Sequence, residues 1–69
     1  MRPLDDRLLA AHARDDRIGL VDLYTEAADA AASLDAACFY LTQAYIFGLE
    51  SNHPAVPTLH ARLSKEGRV

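Results

Sequence analysis

The chain has 69 residues, enough for one domain and no more. Seven Lys+Arg against ten Asp+Glu give a formal net charge of −3, and the basic residues Arg2, Arg7, Arg14, Arg17, Arg62, Lys65 and Arg68 are scattered. A nucleic-acid binder needs a basic patch to neutralise phosphates, and this pattern offers none.

Alanine and leucine are abundant, glycine and proline are sparse, and no alternating β-branched run occurs, so the chain is expected to be all-α with four helices. The first spans about Leu4 to Ala13, with Pro3 at its start and Asp5 and Asp6 favourably placed in its first turn. Leu4, Leu8 and Ala11 form its apolar stripe, flanked by Leu9 and His12. Asp15 and Asp16 follow, and either suits the cap of the next helix.

The second helix is expected from about Arg17 to Ala32, with a stripe of Leu20, Leu23, Tyr24, Ala27 and Ala31 at three-four spacing. Ser33 is a natural N-cap for the third helix, about Leu34 to Glu50. That third helix is apolar nearly all round, as a helix packed on two sides should be. At about 100° per residue, Asp35, Thr42, Gln43 and Glu50 share one narrow polar strip, with Phe39 and Ile46 in its middle. These two are therefore expected to be the least buried large apolar residues of the helix.

Ser51-Asn52-His53-Pro54 reads as a turn, with Pro54 opening the fourth helix. Pro57 is tolerable only within the first turn. Val56, Leu59, His60 and Leu63 form the expected inward face, and Gly67 is the stop.

A single cysteine, Cys38, permits no intrachain disulfide, and its apolar neighbourhood suits a packed, inert thiol. The longest uninterrupted apolar run, Ala36 to Leu41, is far below the roughly 18 to 20 residues that cross a bilayer. Asp5, Asp6 and Arg7 interrupt any leader-like pattern, and the expected setting is reducing and cytoplasmic, with no membrane partner. With 51% hydrophobic residues in so short a chain, some apolar surface is expected to pair with another chain.

The sequence also aligns with itself at a shift near the roughly 34-residue period of a tetratricopeptide repeat. Ala10 falls on Ala44, Ala11 on Tyr45 and Ala13 on Phe47. After two extra residues, Asp15-Asp16 falls on Ser51-Asn52, Leu20 on Val56, Leu23 on Leu59 and Tyr24 on His60. The segment from Asp15 to Ala28, with Tyr24, Ala27 and Ala28, resembles the second half of a tetratricopeptide or Sel1-type repeat. Leu41, Ala44 and Tyr45 match the first-helix pattern of the next unit. Asp15-Asp16 replaces the usual Gly-Asp, Leu20 an expected alanine, and Cys38 and Thr42 stand at an aromatic and a small position. The resemblance implies two tandem helical hairpins, against which a generic four-helix bundle is the alternative.

Chemistry has little to work with. His12, His53 and His60 form no close cluster with Cys38, so no metal site is expected. The pairs Asp5-Asp6 and Asp15-Asp16 lie where helix starts attract negative charge, and no nucleophile-base pattern or phosphate-cradling glycine loop occurs. Neither an enzyme nor a cofactor is expected. An acyl-carrier reading would rest on Ser33-Leu34 at a helix start, but Ala32 stands where the carrier motif has aspartate.

What remains is a contact surface. In the repeats that this chain resembles, the first helices of successive units line a concave binding face. Here that implies Phe39, Thr42, Gln43 and Ile46 on the third helix beside Arg7 and Arg14 on the first, accepting a peptide or a partner protein. A structural homodimer through Phe39 and Ile46 is the competing expectation.

Overall fold

The computed structural model of the chain describes residues 3–69. Four α-helices, α1 (Leu4–Ala13), α2 (Arg17–Asp29), α3 (Leu34–Ser51) and α4 (Val56–Lys65), make an all-α fold with no strand among the described residues.

The helix boundaries have local causes. Asp16 caps α2, its carboxylate accepting the Gly19 N–H at 3.0 Å, and Ser33 caps α3, its Oγ accepting the Ala36 N–H at 3.1 Å. Three helices close with a left-handed residue: Asp15 (φ 55°), Asn52 (φ 53°) and Gly67 (φ 71°). After α1, the Asp16 N–H reaches back to the Ala11 carbonyl at 2.9 Å. After α3, His53 reaches Gly48 at 2.9 Å, and after α4, Arg68 reaches Leu63 at 2.9 Å. Each is the six-to-one bond of a Schellman closure, which satisfies carbonyls that the helix end leaves free. Asp15 thus corresponds structurally to Asn52, one position off the register in which Asp15-Asp16 overlays Ser51-Asn52.

Two boundaries differ from the expectation. α2 stops at Asp29 rather than Ala32, although Ala30, Ala31 and Ala32 are strong helix formers. The last turn tightens, with the Ala31 N–H on the Ala28 carbonyl at 3.3 Å, because the chain must reverse to lay α3 against α2. Tertiary packing here overrides propensity. α4 begins at Val56, not Pro54. Pro54 lies in a turn closed by the Val56 N–H on the His53 carbonyl at 3.2 Å, and the His53 imidazole Nδ1 accepts the Ala55 N–H at 2.9 Å. Pro57 then falls within the first turn of α4, where its missing N–H is harmless.

Packing is serial. α2 and α3 share the largest interface, α1 rests on α2, and α4 rests on α3; no other pair of helices brings two Cα atoms within 8 Å. α1 and α4 bring no Cα pair within 8 Å, so the helices form an open series of sequential neighbours rather than a closed ring. The result is a slab of 32 × 28 × 14 Å.

The core is built from Val21, Ala28, Cys38, Leu41, Ala44, Leu59 and Leu63, with Tyr24, Tyr40, Tyr45 and Phe47 packed around it. Val21 and Ala28 lie outside the single stripe expected for α2; they are buried because α2 is sandwiched between α1 and α3 and so hides two flanks. Burying a leucine such as Leu59 or Leu63 contributes about 1.5–3 kcal/mol. Gly48 lets α4 close on α3: a Cβ there would stand 2.9 Å from Val56 Cγ2. His60, expected inward, is instead exposed, with its ring 5.8 Å from that of Tyr45.

Candidate functional site

A slab this thin cannot cover all the apolar surface of an 18-residue helix, and α3 shows the consequence. Its inner arc (Cys38, Leu41, Ala44, Gly48) is buried against α2 and α4. Its outer arc carries Phe39 at 59% exposure and Ile46 at 45%, with Leu49 at 57% and the exposed Thr42 between and beside them. Phe39, Thr42, Ile46 and Leu49 follow the alternating three-four spacing of a coiled-coil seam. Phe39 and Ile46 are exposed, but they are not the two least buried large apolar residues of the helix, because Leu34 and Leu49 are both more open than Ile46. Leu49 and Leu34 are as exposed as Phe39, although the projection had set them off the polar strip.

The stripe is anchored from behind. The Phe39 ring meets Tyr40 edge-on at 5.6 Å, Tyr40 stacks on Tyr24 at 6.2 Å, and Tyr24 stacks on Phe47 at 6.0 Å. His12 closes the row, edge-on to both Tyr24 and Phe47, with its Nε2 2.9 Å from the Tyr24 hydroxyl. Five rings therefore run from α1 to the outer edge of α3, each such pair contributing about 0.5–1.5 kcal/mol beyond its area. Burial, reinforced by Tyr40, pushes the Tyr24 phenol above its ordinary value. The row was not foreseen, because its members sit on three helices and share no sequence spacing.

Charges bracket the stripe. Asp35 is held by Arg68 at 2.7 Å, and Glu50 by Arg17 at 3.2 Å. The Asp35 hydrogen bond raises the Arg68 guanidinium above its already high value. The Thr42 hydroxyl donates to the Cys38 carbonyl at 2.8 Å, so its donor is satisfied within the helix. Gln43 is half-buried beside it.

The two arginines expected to flank this surface are engaged elsewhere. Arg7 makes a two-pronged pair with Glu26 on α2, at 2.9 and 3.0 Å, and Arg14 binds Asp16 at 3.3 Å. No Cα of α1 lies within 8 Å of α3, though the His12 ring meets that of Phe47, so Arg7 and Arg14 tie α1 to α2 and its cap rather than joining Phe39 and Ile46.

Other candidates are weaker. A cleft of about 230 Å³ between α3 and α4 is lined by Ala37, Cys38, Leu41, Arg62, Lys65 and Glu66. It is smaller than the roughly 300–1,000 Å³ of typical ligand pockets, and Arg62 at its edge is already paired with Asp29 at 2.8 Å. His53 bridges to Asp22 at 3.3 Å while capping its own turn. Among the described residues no three His, Cys, Asp or Glu side chains converge as a metal site would require. Among the described residues no helix is long and apolar enough to cross a membrane. Comparison with protein families, curated proteins and solved structures returned no match.

Proposed function

We propose that this chain is a non-catalytic protein-interaction module, an adaptor-like unit of two tandem helical hairpins of tetratricopeptide-like kind. It would offer the outer stripe of α3 to a peptide or partner protein. The observation that carries this reading is the pair Phe39 and Ile46, one coiled-coil period apart and about half exposed on a helix whose opposite arc is buried. Apolar anchors at this spacing are how one helix engages another across a groove. Arg7 and Arg14 take a supporting part, holding α1 against α2 so that the aromatic row behind Phe39 stays in place.

Other features fit the same role. The buried, unpaired Cys38 suits a reducing, cytoplasmic setting. The acidic balance disfavours nucleic acid, and Ser33, spent as the α3 cap, gives no reason to invoke a carrier arm. The test is a capture experiment with wild type and with the Phe39→Asp/Ile46→Asp double variant as bait, offered host extract and a separately tagged second copy. A protein retained by wild type and lost from the folded double variant is the expected result. Equal retention by both, or none by wild type, refutes the stripe as the binding surface.

A further inference from the structure

Three of the four helices close on a left-handed residue, and α2 does not. Its C-cap, Ala30, keeps a right-handed conformation (φ −95°, ψ −1°), and only Ala31, Ala32 and Ser33 then lead into α3. No glycine, proline or left-handed residue interrupts the chain there. Alanine is the strongest helix former, so the local sequence favours running α2 straight into α3. Little in the link itself opposes this. Ala30, Ala32 and Ser33 are exposed, and the non-helical bonds of the turn are the Ala31 N–H on the Ala28 carbonyl at 3.3 Å and the Ser33 cap at 3.1 Å. The reversal is held by the packing of α2 on α3.

That packing can be supplied equally well by a second copy of the chain. We infer that the protein has a second folded form, a domain-swapped dimer in which residues 17–51 run as one helix and the α1–α2 half of each copy packs on the α3–α4 half of the other. Arg17 pairs with Glu50, and Tyr24 stacks on Phe47 and Tyr40, so α2 and α3 run in opposite directions. Two straightened helices laid side by side about a two-fold axis through the links restore that opposition, with α2 of one copy against α3 of the other. Exchange of an identical element is a low-cost route to a dimer, because it needs no new surface.

The contacts divide cleanly between the two halves. Tyr24 with Tyr40 and Phe47, His12 with Phe47, and the pairs Arg17–Glu50, Asp22–His53 and Asp29–Arg62 all join one half to the other, so each is re-formed between copies. Arg7–Glu26 and Asp35–Arg68 lie within a half and are untouched. In the straight helix the N–H groups of Leu34, Asp35 and Ala36 take the carbonyls of Ala30, Ala31 and Ala32, in place of a cap and water. The Ser33 cap is lost, and the small side chains of the link let the two backbones approach near the axis. The outer stripe of α3 takes no part, so this inference is independent of the proposed function.

Solution mass and a distance measured within one chain test the inference together. Nitroxide labels on Arg17→Cys/Glu50→Cys, with the labelled chain diluted into excess unlabelled chain, report only intrachain separations by pulsed electron resonance; the buried Cys38 of wild type gives the background. Positions 17 and 50 are neighbours in the hairpin and would stand about 50 Å apart in a straight helix at 1.5 Å per residue. Refolding from urea at low micromolar concentration should give the 7.6 kDa monomer with the short distance. Refolding at high micromolar concentration should give twice that mass with the long one. Ser33→Ala, which weakens the cap that only the hairpin uses, should raise the association constant roughly tenfold or more. Two glycines inserted between Ala32 and Ser33 should abolish the dimer and leave helical circular dichroism intact, whereas Phe39→Asp/Ile46→Asp should dimerise as wild type does. A product that is monomeric at every concentration, or a dimer that keeps the short distance, overturns the swap. A long-distance dimer that survives the glycine insertion overturns the link as its cause.

Discussion

Asp15 bears a local conformational penalty, and removing it should stabilise the chain. Its φ of 55° is the left-handed conformation that closes α1, where a side chain with Cβ costs roughly 1–2 kcal/mol, less for aspartate than for most residues. Its carboxylate lies between the negative end of the α1 dipole and the positive start of α2, placements of about 0.3–1 kcal/mol that offset one another. Against the conformational penalty stand the greater unfolded-state freedom of glycine, about 0.4–1 kcal/mol, and an exposed pair with Arg17 at 3.5 Å, of a kind that contributes about 0–1 kcal/mol. The balance for Asp15→Gly is a gain of about 0.5 kcal/mol, a rise of roughly 2–4 °C in Tm for a domain this small. Asp15→Asn removes only the charge and should stay within about 0.5 kcal/mol of wild type, given an amide's tolerance of the left-handed region. Asp15→Ala keeps the Cβ without local hydrogen bonding and should be the least stable of the three. Urea midpoints and thermal melts followed by circular dichroism at 222 nm rank the series. If Asp15→Gly is no more stable than Asp15→Ala, conformational strain is not what governs this turn.

Leu63→Ala should cost about 2–5 kcal/mol through cavity formation, while Phe39→Asp, which loses one ring pair at an exposed site, should cost about 0.5–1.5 kcal/mol; urea melts at low micromolar concentration compare them. Gly48→Ala forces a Cβ to 2.9 Å from Val56 Cγ2 and should cost about 1–3 kcal/mol, much of it recovered in the Gly48→Ala/Val56→Ala double variant. The Gly19 hydrogen bond, assisted by Arg14, lowers the Asp16 carboxyl below its ordinary value. Its contribution is therefore complete above the unfolded value of 3.8 and fades as pH falls through the lower folded value, so Asp16→Asn should flatten the acid limb of the stability curve. Tyr24 has the opposite sense. Its raised folded value leaves stability intact below the unfolded value of 10.0 and erodes it as pH climbs beyond, and a phenolate titration at 295 nm should lose its latest step in Tyr24→Phe.

Local chemistry was the most legible part of this chain. Asp16 and Ser33 cap the helices they precede, Gly67 is left-handed, and Pro57 falls in a first turn, because each of these depends on a few neighbouring residues. What depended on the neighbours of neighbours was harder to read. Val21 and Ala28 are buried only because α2 has partners on two sides, and no single-stripe pattern announces that. His12 looks like a flanking residue until Tyr24 and Phe47 come from two other helices to meet it. Arg7 faces Glu26 because α1 lies on α2 and stands off from α3, an arrangement fixed by the serial packing of the slab.

The same geometry explains why the candidate surface was only partly foreseen. A helix projected at about 100° per residue gives a narrow outer strip if both its flanks are assumed to be covered. In a slab 14 Å thick the covered arc of α3 is smaller, so Leu34 and Leu49 join Phe39 and Ile46 in the open. Yet the polar members of the strip were legible, and their arrangement limits how that face can be used. Asp35 and Glu50 are both acidic, so an approaching second helix would meet repulsion at either end unless something neutralised them. Arg68 pairs with Asp35, and Arg17, shared with Asp15, pairs with Glu50, so the fold softens that repulsion and leaves the apolar centre to decide whether contact forms. Sequence spacing therefore places the apolar anchors, and only the fold makes the ends of the face permissive.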